Sequence, residues 1–306
     1  MRTNKQLLSI VCVTACILLF TGCGINAGVK SRKDVNGLDK LNKWSHNWTD
    51  ELHDWADDVG SSLNNSGDND SSKLYEENIN KNIDGSGINE LQLSTYASNV
   101  TITTSDTSEF KISCQGTSNI VTDTTIEVQN DSLIVKENKK SNSVNIGLKD
   151  VAITRTVTVA IPDSFAGDIY MSGGAGTTEM NNFTCNNIKI DGGAGELNIN
   201  DIVFKDLKLS QGVGSTTVNL IRPSGNMHFD GGVGNLTVSL KSVSGNLSYS
   251  GGVGTAVINI PDNSPVKIKT DSGVGECQIN VKTSGEDKYH FDLETGVGNL
   301  TINSIK

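Results

Sequence analysis

Seven times the 306-residue chain writes Gly-(Ala/Val)-Gly, and each time an alternating strand pattern follows. The first glycines are Gly174, Gly193, Gly212, Gly232, Gly252, Gly273 and Gly296; the second are Gly176, Gly195, Gly214, Gly234, Gly254, Gly275 and Gly298. Glycine-rich loops cradle phosphate, so a nucleotide site is the first chemistry to test. A P-loop requires GxxxxGK(S/T), and a dinucleotide fingerprint places GxGxxG at the start of a helix. Here the motif opens a strand, as in Asp230 to Leu240, DGGVGNLTVSL, and the P-loop lysine is missing. Neither a nucleotide nor any other cofactor is expected. Calcium-binding RTX repeats recur about every nine residues with Asp two places after the last glycine. Leu197, Leu236 and Leu300 hold that place in this chain.

Two positions before the first glycines stand Ser172, Asp191, Ser210, Asp230, Ser250, Asp271 and Glu294, with Lys189, Lys208, His228 and Lys269 alongside. Clustered acids beside a base are the equipment of glycan-cleaving β-helices. Adjacent columns of opposite charge also compensate one another as a solvated face, and that reading is preferred. No Ser/His/Asp set emerges around His228 or His290, so no catalytic residues are assigned. His46, Asp50, His53 and Asp57 share one helical face, but such stripes are commonly solvated, and no metal is expected there.

The net charge of -10 and pI near 4.9 oppose a phosphate backbone and exclude nucleic acid as a partner. The start, MRTNKQLLSIVCVTACILLFTGC, has a basic end and an apolar run too short to span a bilayer. It resembles a bacterial lipoprotein signal, with Phe20 where Leu is usual. That resemblance implies cleavage after residue 22, lipidation of Cys23 and anchoring on the extracytoplasmic face of a membrane. Cys12 and Cys16 fall in this leader, which leaves Cys114, Cys185 and Cys277. Three scattered thiols make neither a disulfide framework nor a zinc site and read as small core residues.

Five segments are expected: the signal peptide at 1–22, a polar tether at 23–36, an amphipathic helix at 37–60, a linker at 61–89 and a β domain at 90–306. Leu38, Leu41, Trp48, Leu52, Trp55 and Val59 recur at helical spacing. That stripe would dock on the main domain or on a second copy; lying on the membrane is the alternative, disfavoured by the acidic polar face.

The elements that position the glycines follow from their spacing of 19, 19, 20, 20, 21 and 23 residues. A period near twenty means one unit copied in series. Pairs such as Ile188/Ile190, Leu207/Leu209 and Met227/Phe229 precede the glycines and point inward, and the Ala or Val between the glycines keeps their phase. The next apolar residues, such as Leu197/Ile199 and Leu236/Val238, come one position out of phase. A regular strand cannot slip in this way, so the second glycine must form a corner of positive φ. Seven residues past the first glycine lie Asn181, Asn200, Asn219, Ser239, Asn259, Asn280 and Asn303, which stacking would turn into an asparagine ladder. The expected fold is all-β: a parallel β-solenoid, in the form of a right-handed β-helix, whose coils stack on their copies above and below.

With LSTYASNVTITTSDTSEFKIS, TVTVAIPDSF and the repeated GG(A/V)G units, residues 91–306 resemble the bacterial putative adhesin family of exported β-solenoid domains. The resemblance implies an envelope or surface role and carries no functional residues onto this chain. The function expected is a non-catalytic adhesion or interaction module, with an envelope protein or glycan as partner. A structural or stress-related envelope lipoprotein and a glycan-active enzyme are the alternatives.

Overall fold

The computed structural model describes residues 75–118, 122–139 and 155–305, all within one compact unit. The expected signal peptide, Cys23, the tether, the amphipathic helix and the first part of the linker lie outside the described residues.

Among the described residues there are twenty strands and no helix. In chain order they are β1 (Tyr75–Asp84), β2 (Glu90–Ser94), β3 (Asn99–Ser105), β4 (Glu109–Ser118), β5 (Thr122–Gln129), β6 (Ser132–Lys139) and β7 (Thr156–Pro162). The repeat supplies β8 (Asp168–Ser172), β9 (Ala175–Asn181), β10 (Asn187–Asp191), β11 (Ala194–Asn200), β12 (Asp206–Ser210), β13 (Val213–Leu220) and β14 (Asn226–Asp230). It continues through β15 (Val233–Leu240), β16 (Leu247–Ser250), β17 (Val253–Pro261), β18 (Val266–Val274), β19 (Cys277–Asn280) and β20 (Tyr289–Ile305).

Each coil contributes one strand to each of two parallel ladders. The first runs β6, β2, β8, β10, β12, β14, β16, β20, β18. The second runs β7, β3, β9, β11, β13, β15, β17, β20, β19. Inward residues stack in register and are sealed from water: Ile169, Ile188, Leu207, Met227, Leu247 and Phe291 form one buried column of the first ladder. Each buried Leu, Ile or Phe contributes about 1.5–3 kcal/mol, which a chain with few aromatics collects by repetition.

Four details correct the reading of the sequence. First, residues 75–84 of the expected linker form β1, antiparallel to β4, with Ile79 and Ile83 packed against the core. Their charged and amide neighbours suit an edge strand and disguise it as linker. Second, the stack is not parallel throughout: β4 runs antiparallel to β7, and β5 to β6, so one end is closed by reversed strands.

Third, the last two coils do not stack in chain order. The final strand β20 lies between β16/β17 and β18/β19, which makes residues 266–280 the terminal coil. The longer spacing before Gly296 supplies the chain needed to turn back over that coil. Fourth, the Ala or Val between the glycines does not keep the inward phase. Val253 and Val297, which hold that place in their units, are 47% and 51% exposed, so the position faces outward. The second glycines do carry the positive φ expected of the corner, from 137° to 152° in all seven units.

Cys114 and Cys185 are buried and Cys277 is half-buried. Burial first, and the Glu77 carboxylate next, push the Cys114 thiol up to about 11; burial, then Asp168, pushes Cys185 up to about 12. Thiolates are the nucleophiles, so iodoacetamide on the native protein at pH 8 should modify Cys277 and spare these two, as peptide mass mapping would report. The same shifts lower stability as pH rises. An unfolded thiol ionises from about pH 9, whereas the folded ones do so only near 11 and 12, so denaturation midpoints should fall across that window.

Candidate functional site

With inward positions filled by core, whatever the molecule recognises must meet the outward columns. On the first ladder the central column reads Gln92, Tyr170, Lys189, Lys208, His228, Ser248, Asp292, Lys269. Beside it the acidic column reads Ser172, Asp191, Ser210, Asp230, Ser250, Glu294, Asp271. Ser alternates with Asp over the first five rungs. Adjacent rungs lie about 4.8 Å apart, so the alternation keeps those like charges from being nearest neighbours. The two columns also meet along two of the strands: Lys189 Nζ lies 3.1 Å from Asp191 Oδ2, and His228 Nε2 is hydrogen-bonded to Asp230 Oδ1 at 2.9 Å.

His228 is the one place where these columns order themselves as a nucleophile site would. Its Nδ1 is hydrogen-bonded to Ser248 Oγ on the next strand while its Nε2 meets Asp230. The histidine thus stands between a hydroxyl and a carboxylate, the sequence of roles in a hydrolase triad. The surroundings differ from a hydrolase site: His228 and Asp230 side chains are 42% and 43% exposed on a sheet face, and water is not excluded. Ser248 is flanked in its column by His228 and Asp292, so a developing oxyanion there would have a carboxylate for a neighbour. A shallow depression is lined by Lys208, Asn226, His228, Asn246, His290 and Asp292. Its lining mixes hydrogen-bond donors and acceptors, suited to reading a polar surface.

The second ladder carries Asn181, Asn200, Asn219, Ser239, Asn259, Asn303 and Asn280 in that spatial order. Asn200 Nδ2 donates to Asn181 Oδ1 at 2.9 Å, Asn219 to Asn200 at 3.3 Å and Asn259 Nδ2 to Ser239 Oγ at 3.0 Å. Asn303 donates to Asn259 at 3.5 Å and Asn280 to Asn303 at 3.2 Å. Asn200, Asn259 and Asn303 each use one donor and one acceptor along the ladder, leaving further capacity for a partner.

The glycines serve close packing. Gly214 has φ 138°, and a Cβ there would lie 1.8 Å from the Gly195 carbonyl oxygen; at Gly234 the distance to the Gly214 oxygen would be 1.7 Å. The five equivalent second glycines, Gly176, Gly195, Gly254, Gly275 and Gly298, share the positive φ. The first glycines accept the rung-to-rung bonds. Val213 N donates to Gly193 O at 2.9 Å, Val233 N to Gly212 O at 2.9 Å and Val253 N to Gly232 O at 2.8 Å. The amides that a bound phosphate would recruit after the first glycine already have partners.

A buried ionic cluster was not foreshadowed by any motif. Arg155, 1% exposed, donates through Nε to Glu77 Oε2 at 2.8 Å, and its Nε lies 3.8 Å from Glu137 Oε1. Glu137 accepts from the Tyr96 amide at 2.6 Å, the Ala97 amide at 3.1 Å and the Ser98 hydroxyl; Glu77 accepts from the Thr124 amide and hydroxyl, both at 3.1 Å. These bonds tie β1, β5 and β6 to the corner between β2 and β3 at the closed end. Arg155 sits 78 residues from Glu77, and nothing in local spacing announces the pair.

The Toastrack DUF4097 family matches residues 88–304. Among curated proteins none matches the chain. Among solved structures, a putative cell adhesion protein from Clostridium sporogenes ATCC 15579 is similar at 17% identity, covering 76% of this chain and 100% of that one, with a TM-score of 0.37. A putative adhesin from Bacteroides fragilis NCTC 9343 is similar at 15% identity, covering 77% and 100%, with a TM-score of 0.46. A putative lipid binding protein from Parabacteroides distasonis ATCC 8503 is similar at 16% identity, covering 75% and 97%, with a TM-score of 0.35.

Proposed function

The chain belongs to the Toastrack DUF4097 family, the bacterial putative adhesin family, and we propose that it is a non-catalytic interaction module working outside the cytoplasm. Its occupant is an envelope protein or a glycan, met by the outward columns of the two ladders. Cys23 holds the module to the membrane through its lipid. The observation that carries this reading is the ladder of amides and the neighbouring charged columns. They repeat one side chain per rung on a backbone fixed by neighbours on both sides, so they present polar groups at set spacing with little entropy left to lose. Repetitive ligands such as glycan chains or extended peptides suit such a surface, because a modest attraction at each rung adds up along the stack.

The test is binding of the purified full chain, with Cys23→Ser to keep it soluble, to intact cells, peptidoglycan and a glycan array. Binding should weaken roughly tenfold or more when Asn200, Asn219 and Asn259 are all changed to Ala, or when Lys189, Lys208 and His228 are. Undiminished binding by both variants, or no binding by the parent, contradicts the proposal. Hydrolysis of a glycan or ester, abolished by His228→Ala, would replace it with the enzymatic reading.

A further inference from the structure

The two ends of the solenoid are built differently. At one end β4 and β1 cover β7, and β5 covers β6, all by antiparallel pairing. At the other, among the described residues no strand pairs with the outer edges of β18 and β19, which join only β20. The core also opens there. Ile199, Val218, Val238, Ile258 and Ile302 are completely buried, yet Ile279, next in the same inward column, is 49% exposed. Ile268 and Cys277 are likewise only partly covered. Val274, on the corner column after Val253 and Val297, is 69% exposed.

An open strand edge with uncovered core residues is a template for another strand. The outward side chains of β18 select which one. Lys267, Lys269 and Asp271 alternate with inward Ile268 and Thr270. If a second copy pairs antiparallel about a two-fold axis at Thr270, Lys269 of each chain stands opposite Asp271 of the other. Parallel pairing in register would set Lys269 against Lys269 and Asp271 against Asp271. We propose that the protein forms a closed, two-fold dimer through β18, the terminal coils meeting end to end. The interface is isologous, so it stops at two copies and consumes the edge instead of propagating a fibre.

The experiment is light scattering on the full chain carrying Cys23→Ser, over a range of concentrations. A mass of two chains is expected. Lys269→Asp and Asp271→Lys, each placing like charges opposite one another across the interface, should raise the dissociation constant roughly tenfold. The double variant Lys269→Asp/Asp271→Lys restores the opposite pairing and should return the dimer. A monomer at all concentrations overturns the proposal. So does a mass that grows beyond two, or a dimer that neither single variant weakens, as pairing through the segment 37–60 would give.

Discussion

Arg155→Met should be the most damaging conservative-volume substitution in the domain, lowering stability by about 3–5 kcal/mol. The guanidinium is buried and lies between Glu77 and Glu137, both also sealed from water. Removing it leaves two carboxylates facing each other with no cation and no solvent. The loss would come from stranding those charges and is not the net worth of the ion pair, which the cost of desolvating three ions largely offsets. A triple variant, Arg155→Met with Glu77→Gln and Glu137→Gln, tests that distinction. Glutamine carbonyls still accept the Tyr96, Ala97 and Thr124 amides, so most of the stability should return. Urea unfolding of the three proteins checks it; a single variant within about 1 kcal/mol of the parent would show the cluster to be dispensable.

Gly214→Ala ranks with it. The backbone at φ 138° strains any L side chain, and the added carbon would sit 1.8 Å from the Gly195 carbonyl oxygen, far inside contact distance. That oxygen belongs to the next rung, so relief requires neighbouring coils to separate and lose ladder bonds and buried contacts together. A cost above about 3 kcal/mol is expected. Gly285→Ala is the control: its φ is 85°, but nothing lies within 4 Å of the new carbon, so only conformational strain of about 1–2 kcal/mol remains. Equal losses at the two sites would mean that close stacking is not what these glycines serve.

The repeat was legible because its signals are local. The phase slip between Met227/Phe229 and Leu236/Val238 requires a bend inside ten residues, and the Asn column needs only the period. What escaped depends on chain returning from a distance. β1 has two isoleucines among charged and amide residues and acquires strand geometry only from β4. The position of β20 between β16 and β18 follows from where the chain turns back after residue 281, and inward and outward phases are the same in either order. The spacing of 23 residues before Gly296 was the one trace of it. The corner at the second glycine was read correctly, but the residue before it was assigned to the inward phase, whereas Val253 and Val297 are about half exposed. His228 and Ser248 are twenty residues apart and meet through register, yet the sequence does not show that their side chains turn toward one another.

The functional columns exist only if the coils stack in the observed order, and paired cysteines on the outer face read that order directly. Ser248 is next to Asp292, and Asp292 is next to Lys269. In a chain with Cys23→Ser, mild oxidation should close a disulfide in Ser248→Cys/Asp292→Cys and leave Ser248→Cys/Lys269→Cys reduced, the latter pair lying two rungs, about 10 Å, apart. A bridge in the second variant and none in the first would mean that the coils stack in chain order, and would contradict both the column assignments and the terminal position of β18.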